Sequence, residues 1–391
     1  MKKIWLVAAL AALIAGCADP KQEVRGVTDT EVTIGGIHDL SGVFAAFSTP
    51  AVRAANLYFD EVNQNGGVHG RTIRYIVEDH AYQVPRAVQA TNKLISRDKI
   101  FAMLMSLGTP QNLAAFPVMD QHDVPSIMPM ALSAQMKTEG DFSRRFVFGA
   151  SYYDSVMEGI KWMAGEYDLQ NLCVMYIPSD FGQEVNQAVI DVASSHDGLT
   201  LKETTSHRPD ESDFTGALSK LRAAECEVVA VALAVRPIIS VTSTARDMGW
   251  TDVKFIVSQA GFHSAVAAAP GGATEGLYGV AAWQDIHTRK DNPETAAWIS
   301  AYQAATGEFP SSGAVLGHVG AHVFVEALKK AGPDLTVDSL VAAMESLDFV
   351  EPVTGIKVQM SADNHEAARG IHISRVQNGV WEPLALVGEV E

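Results

Sequence analysis

Asp60-Glu61-Val62-Asn63-Gln64-Asn65-Gly66-Gly67-Val68-His69-Gly70-Arg71 reads as the end of a helix, a turn at paired glycines and the entry to a strand. Glycine suits that place because a helix C-terminus and a tight turn both call for positive φ. Working outward, apolar runs of strand length at 32–37 and 73–78 flank a helical period at 50–63. The same alternation continues with a helix at 85–97, a strand at 100–105, a helix at 110–122 and a strand at 126–130. Repeated β-α-β units with short connections predict a parallel, doubly wound sheet. The rhythm restarts with strands at 172–177, 201–204, 228–233 and 253–257, separated by helices at 185–194, 214–223 and 238–248. The expected fold class is α/β with two Rossmann-like doubly wound lobes, and the irregular stretch 141–154 is the candidate first crossing between them.

The N-terminus carries a different kind of signal. Lys2 and Lys3 precede a short apolar run that ends in Leu13-Ile14-Ala15-Gly16-Cys17. A positive start, an apolar stretch of about 7–15 residues and small residues before the cut describe a secretory signal too short to span a bilayer. Its end is similar to the lipobox of bacterial lipoproteins, in which Cys17 would be lipidated and become the new N-terminus. Residues 1–16 are then the signal peptide and 17–27 a lipidated polar tether containing Pro20, with structure expected from near Glu31. Such a protein works in the periplasm, anchored to a bacterial membrane, away from ATP and NAD. Binding is favoured there over cofactor chemistry, and no cofactor is expected.

Bulk properties fit that setting. A chain of 391 residues suggests about two domains at ~100–200 residues each. Its net charge of −17, more negative still once Lys2 and Lys3 are removed, argues against nucleic acid and anionic lipid headgroups as partners. Beyond Cys17 there remain Cys173 and Cys226, too few for a disulfide-built scaffold. They fall at the upstream ends of neighbouring predicted strands, and whether they pair stays open at the level of sequence.

Several segments converge on one family. The glycine turn above is preceded by Leu40-Ser41-Gly42 and followed by Glu78-Asp79-His80-Ala81-Tyr82. Further along stand Ser106-Leu107-Gly108-Thr109-Pro110, Ser179-Asp180-Phe181-Gly182, and Ser212-Asp213-Phe214 ahead of Leu218 and Leu221. In this order the chain resembles the periplasmic leucine/isoleucine/valine-binding proteins of ABC importers, type I periplasmic binding proteins, from about residue 30 to near the C-terminus. The resemblance implies two lobes joined by a three-segment hinge, with 28–153 plus 281–366 in the N-terminal lobe and 154–280 plus 367–391 in the C-terminal lobe. It also implies a monomer that closes on a small ligand, either an amino acid or a small carboxylate or amide, and hands it to a permease driven by an ATPase. Closure of that kind is stabilised by contacts the ligand makes to both lobes.

The residues themselves point to a carboxylate site. Thr109, read as the N-cap, and Pro110, read as the first helical residue, begin a helix directly after a strand, so free backbone N–H groups and the positive helix end face outward. Ser106 would add its hydroxyl. By resemblance the loop after the strand at 126–130 supplies Ala131 and a hydroxyl; the aligned position holds Leu132, with Ser133 as substitute. Phe181 matches an aromatic that folds over the ligand and Phe47 an apolar wall, though both residues equally suit local packing. Gln259 departs from the family, whose amino-acid binders place a glutamate there to pair with the α-ammonium. Asp154 or Asp180 could supply that charge; both also read as capping or surface residues. Without a counter-charge the ligand is expected to be an apolar or aromatic carboxylate or a neutral amide.

Two histidine signals compete with this reading. His38 ends the first strand and could touch ligand, although a satisfied loop histidine explains it as well. His318, His322 and Glu326 share one helix face at four-residue spacing, which can ligate zinc. Val319 occupies the place of a catalytic glutamate and no further ligand is identifiable, so no metal is expected. No nucleophile elbow, phosphate-binding loop or dinucleotide fingerprint occurs in the chain, so no catalytic residue and no enzyme activity are expected. A ligand-sensing ectodomain signalling to a membrane partner is the alternative.

Overall fold

The predicted alternation is built as two separate sheets. The computed structural model describes residues 23–388; the expected signal at 1–16 and Cys17 lie outside the described residues. Strands β1 (Glu31–His38), β2 (Thr72–Asp79), β3 (Met103–Leu104), β4 (Ser126–Ile127) and β5 (Arg145–Phe146) form one parallel sheet in the order β2-β1-β3-β4-β5. Strands β6 (Asn171–Tyr176), β7 (Thr200–Ser206), β8 (Val228–Ala232), β9 (Lys254–Val257) and β10 (Tyr278–Ala281) belong to the second. A small hairpin, β11 (Asp348–Val350) and β12 (Lys357–Gln359), stands apart, and the second sheet is completed by β13 (Ile371–Gln377), antiparallel to β10, and β14 (Val380–Val387), antiparallel to β13. Its order is β14-β13-β10-β9-β8-β6-β7.

Helices α1 (Ala45–Gln64), α2 (Val84–Ser96), α3 (Thr109–Gln121) and the short α4 (Gln135–Thr138) accompany the first sheet. Helices α5 (Tyr152–Tyr167), α6 (Asp180–Ser195), α7 (Thr215–Ala223), α8 (Val235–Asp247) and α9 (Ser264–Ala267) accompany the second. The chain then returns through α10 (Pro293–Thr306), α11 (Ser312–Ala331) and α12 (Val337–Glu345), with α11 against α1. It therefore changes sheet three times: after β5, after β10 and after β12. The stretch 141–154 contains β5, which still pairs in the first sheet, so the first change lies in the five residues between Phe146 and Tyr152. There Val147 donates to the His365 carbonyl (2.9 Å) and Ala368 to that of Phe148 (2.8 Å), so the first and third connections run side by side.

The local chemistry behaves as the sequence suggests at the glycine turn. Gly66, Gly67 and Gly70 all have positive φ, and a Cβ on Gly67 would lie 2.0 Å from the Arg71 carbonyl oxygen. Order begins earlier than expected. Val27 bridges to Val32, Thr33 donates to the Gly26 carbonyl (2.8 Å) and the Arg25 Nε donates to that of Ile100 (3.0 Å), so 24–27, expected as part of a polar tether, is pinned to the first sheet. Strands β3 and β4 are only two residues long because Met105 (φ 53°) and Met128 (φ 49°) turn into the left-handed region where extended backbone was expected. Cys173 and Cys226 are joined in a disulfide, Cα–Cα 5.8 Å, clamping β6 to the segment entering β8.

Helix α11 lies almost wholly buried and approaches α1 closely. A Cβ on Gly313 would lie 2.3 Å from the Phe47 carbonyl oxygen, and one on Gly317 2.1 Å from that of Ala51. Backbone atoms cannot swing aside as a flexible side chain can. Gly317→Ala is therefore expected to destabilise the protein by about 1–3 kcal/mol in denaturant melts. Gly165→Ala, in a helix position with no atom near the added methyl, should raise stability by up to about 1 kcal/mol.

Candidate functional site

The strand ends of the first sheet are strained in a way that shapes a cavity. After β2 the chain passes through Ala81 (φ 48°) and Tyr82 (φ 58°), after β3 through Met105 and Gly108 (φ 97°), and after β4 through Met128. Left-handed conformations cost of order 1–3 kcal/mol at bulky residues and persist only where the surroundings enforce them. Their effect is to swing Tyr82, Gly108 with Thr109, and the 129–132 segment toward the second sheet. Two carboxylates fix the adjoining loops. Asp39 accepts from the N–H groups of Gly42 (2.6 Å) and Phe44 (2.8 Å), and Asp79 accepts from Leu40 N–H (3.0 Å), Ala81 N–H (2.9 Å) and the Ser41 hydroxyl (2.6 Å). The Leu40-Ser41-Gly42 and Glu78–Tyr82 motifs are thus the two halves of one hydrogen-bonded corner.

From the second sheet, Ser179-Asp180-Phe181-Gly182 turns tightly enough that a Cβ on Gly182 would lie 1.9 Å from the Ile177 carbonyl oxygen. This delivers Phe181 opposite Phe44, ring centroids 6.4 Å apart, and against Tyr152 at 4.8 Å. Between the sheets lies a cleft of roughly 630 Å³ of atom-free space, its opening included. Seven aromatic side chains line it: Phe44, Phe47, Tyr82, Phe148, Tyr152, Phe181 and Trp283. Met128, Met130, Leu132 and Leu316 add aliphatic surface, and among the described residues no charged side chain lines it. Burial pushes the Tyr82 and Tyr152 phenols well above their ordinary pKa, so both remain protonated.

Three buried polar atoms on this lining lack a hydrogen-bond partner: Thr109 Oγ1, Gln259 Oε1 and Trp283 Nε1. Buried polar groups are normally paired, so an unpaired set around one cavity marks where a ligand's polar atoms would go. Thr109 is not the N-cap expected from sequence. Gly108 takes that place with φ 97°, and Thr109 is the first helical residue, its hydroxyl beside the Tyr152 phenol without forming a directed hydrogen bond. The first α3 bond runs from Asn112 N–H to the Gly108 carbonyl (3.0 Å), leaving Thr109 and Gln111 N–H without an intrahelical acceptor. Gln259 donates its Nε2 to the Ala150 carbonyl (3.0 Å) and the Ser155 hydroxyl (2.5 Å), which fixes the amide so that its oxygen is the free atom. A glutamate in its place would face that carbonyl without a proton to offer.

The other expected site residues point elsewhere. The Ser106 hydroxyl accepts from Ile37 N–H (3.2 Å) and is used to join β1 to the β3 loop. Ala131 is buried in a side cluster behind the loop, while Leu132 takes the cleft position. Ser133 turns to Glu184 of α6 and accepts from Gln135 N–H (3.3 Å). His38 is buried between Tyr75 (2.7 Å) and Ser48 (3.4 Å), its pKa lowered to about 3 by burial and then by His80. Asp154 is exposed and pairs with Ser151 at the start of α5, and Asp180 is exposed in the first turn of α6. Neither carboxylate reaches the cleft. Among the residues missed by sequence reading, Phe148 and Trp283 lie in the connections between sheets and Leu316 on α11, where no local motif marks them.

The two halves touch around the cavity. Glu184 accepts from Ala134 N–H (3.0 Å) and Tyr153 N–H (3.2 Å), and Ser264 and Ser312 exchange hydrogen bonds. His263 accepts at Nδ1 from Ala265 N–H (3.0 Å), so its Nε2 carries the proton and donates to the Ala46 carbonyl (3.1 Å). That carbonyl is free because Pro50, four residues on within α1, has no N–H to offer it.

Comparison with known proteins agrees with this architecture. The family profile described as "Periplasmic binding protein" matches residues 31–380. A curated relative, Leu/Ile/Val-binding protein homolog 7 of Brucella suis, is 22% identical over 341 residues, covering 84% of this chain and 83% of its own. A branched-chain amino acid ABC transporter structure from Thermus thermophilus with bound valine superposes with a TM-score of 0.82 at 19% identity, covering 93% of this chain and 98% of that one. An ABC transporter solute-binding protein from Rhodopseudomonas palustris in complex with 3,4-dihydroxybenzoic acid gives 0.80 at 20% identity, covering 93% and 99%. With a family match spanning nearly the whole described chain and a two-sheet fold to go with it, this protein belongs to the periplasmic binding proteins, in the type I branch of leucine/isoleucine/valine-binding proteins, a family of solute binders and not of enzymes.

Proposed function

We propose that this protein captures a small aromatic carboxylate in the periplasm and delivers it to an ABC importer, held to a membrane by a lipid on Cys17. The observation that carries the ligand class is the lining itself: seven aromatic rings, no charged side chain, and the open start of α3 beside the Thr109 hydroxyl. An aromatic ring burying about 150–250 Å² gains roughly 4–6 kcal/mol in gross transfer free energy. An α-ammonium buried here without a counter-charge would lose about 2–5 kcal/mol of that. A carboxylate suffers no such loss, because the helix N-terminus supplies N–H donors and a positive dipole. Gln259 Oε1 and Trp283 Nε1 are then free to meet a hydroxyl or other polar substituent on the ring. The bound aromatic acid in the Rhodopseudomonas relative supports this choice, and the bound valine in the Thermus relative marks the competing one.

Delivery to a permease rests on the family's role in transport, and the anchor rests on the lipobox ending at Cys17. Closure would bring Phe181 and Gln259 onto ligand already seated against Thr109, Phe47 and Leu132.

A thermal-shift comparison of benzoate, ring-hydroxylated benzoates, phenylacetate, L-leucine and L-phenylalanine tests the ligand class. The acids should stabilise by about 2.7 kcal/mol at a hundredfold excess over Kd, and the amino acids far less. Stabilisation by leucine but not by any acid would overturn the proposal. Thr109→Val keeps the shape and removes the hydroxyl, and should weaken acid binding roughly 10–100-fold, the cost of a lost hydrogen bond to a charged group. Cys17→Ala should move the protein from the membrane to the soluble fraction of a fractionated cell. Burial lowers the His263 pKa from 6.5 to about 4, so its contribution is complete above pH 6.5 and is lost as pH falls toward 4. Tm should drop across that window, and less steeply in His263→Gln.

A further inference from the structure

Away from the cleft, the His318 and His322 pair expected to align with Glu326 instead converges on Glu351, the first residue of the turn between β11 and β12. His318 Nε2 lies 3.4 Å and His322 Nδ1 3.1 Å from the same oxygen, Glu351 Oε1. All three side chains are at least mostly buried, Glu351 completely. The carboxylate is already well supplied by its own loop. Val353 N–H also donates to Oε1 (3.2 Å), while Thr354 N–H (2.8 Å) and the Thr354 hydroxyl (2.6 Å) serve Oε2. An ionised carboxylate offers about four lone-pair sites, and five donors would crowd it if both imidazoles presented protons. The arrangement is resolved if the two ring nitrogens and Oε1 present lone pairs to one shared cation.

The geometry points to a divalent metal site of the zinc class, formed by His318 Nε2, His322 Nδ1 and Glu351 Oε1, separate from the solute cleft. Ligand atoms at 2.0–2.1 Å around a tetrahedral ion lie about 3.3 Å apart, close to the separations of both histidines from Oε1. The donor atoms all fall within 4.8 Å of one another, and since ligands at 2.0–2.1 Å from one ion stand at most about 4.2 Å apart, binding would draw the two imidazole nitrogens together. Imidazole nitrogen with carboxylate oxygen is a ligand set suited to zinc. The surroundings supply the outer support such sites use: His322 Nε2, on the far side of its ring, faces Glu326 Oε1 at 3.8 Å, and Glu326 is itself held by Lys329 (2.7 Å). The Tyr58 ring packs on both histidines, centroids 5.2 and 5.4 Å away, and a surface depression lined by Tyr58, Trp298 and His318 gives a path of entry. The ion would staple α11, which lies against the cleft through Leu316, to the β11–β12 hairpin. Glu326, which shares the helix face of both histidines, stands beside His322 and outside the ligand set.

The test uses the untagged full-length protein, stripped with a chelator and titrated with Zn²⁺ by calorimetry and with Co²⁺ by visible absorption. The expected result is one ion per chain, a rise in Tm on adding Zn²⁺ to the stripped wild type, and Co²⁺ ligand-field bands. Affinity should fall by at least about tenfold in His318→Ala and in His322→Ala, and less in Glu326→Gln, while His196→Ala on α6's C-terminal side leaves it unchanged. No heat, no bands and no Tm change with the stripped wild type would overturn the inference without reliance on any variant. Binding that persists in the His318→Ala/His322→Ala double variant would also overturn it.

Discussion

Two methionines held in left-handed backbone conformations organise the N-terminal half of the binding cleft. Met105 and Met128 end β3 and β4 after two residues, and the chain that follows each is thereby redirected from the sheet edge into the cleft. Neither side chain favours that conformation, so the strain must be balanced by packing. Helix α11 supplies it: a Cβ on Gly320 would lie 2.5 Å from Met105 Sδ and 3.8 Å from Met128 Cβ, so the helix backbone rests directly on both strained residues. The same helix meets α1 through Gly313 and Gly317 and the β11–β12 hairpin through its histidines. A helix fixed on three faces gives the strained strand ends a rigid backing, and so keeps the Thr109 hydroxyl and the N–H groups beside it oriented toward the cavity.

Hydrogen bonds join the two halves around the rim, in contrast with the apolar cleft they surround. Pro50 frees the Ala46 carbonyl for His263, Glu184 on α6 takes the Ala134 N–H from across the boundary, and Ser264 and Ser312 pair reciprocally. Such groups can exchange these partners for water when the halves separate at modest cost, since a typical hydrogen bond contributes only about 0.5–1.5 kcal/mol net. The apolar lining behaves differently, because opening it exposes aromatic surface to water. Ligand that covers this surface from both sides therefore favours the closed arrangement. Gln259 is central to this economy of charge. Its amide satisfies the Ala150 carbonyl and leaves an acceptor toward the cavity, whereas the family's glutamate would bring a negative charge.

The fold was legible in the sequence because its signals are local. Buried parallel strands such as Val228–Ala232 read as unbroken apolar runs, and helices on both faces give the intervening 3.6-residue period. Gly67, Gly182 and Gly42 mark turns in which a side chain would collide with backbone or with a capping carboxylate, so each motif carries its own physical reason. Part of the cleft was legible for the same cause: of its lining residues, Thr109, Phe181, Phe47 and Gln259 follow strand ends or open helices. Ser106, Ala131 and Ser133 lie on the same loops yet are taken up elsewhere, Ser106 by Ile37 N–H, Ala131 by a side cluster and Ser133 by Gln135 N–H and Glu184, which no local pattern reveals.

What the sequence by itself determined is the order of elements, the two-fold repetition of the α/β unit, the glycine turns and the absence of a glutamate at 259. Only the tertiary structure decided which side chains meet. Phe148, Trp283 and Leu316 enter the cleft from segments far apart in the chain, and His318 and His322 find Glu351 rather than Glu326. The physical reason is that propensity and period act over a few neighbouring residues, while a cavity or a ligand set is assembled by packing between elements whose separation along the chain carries no information about their distance in space.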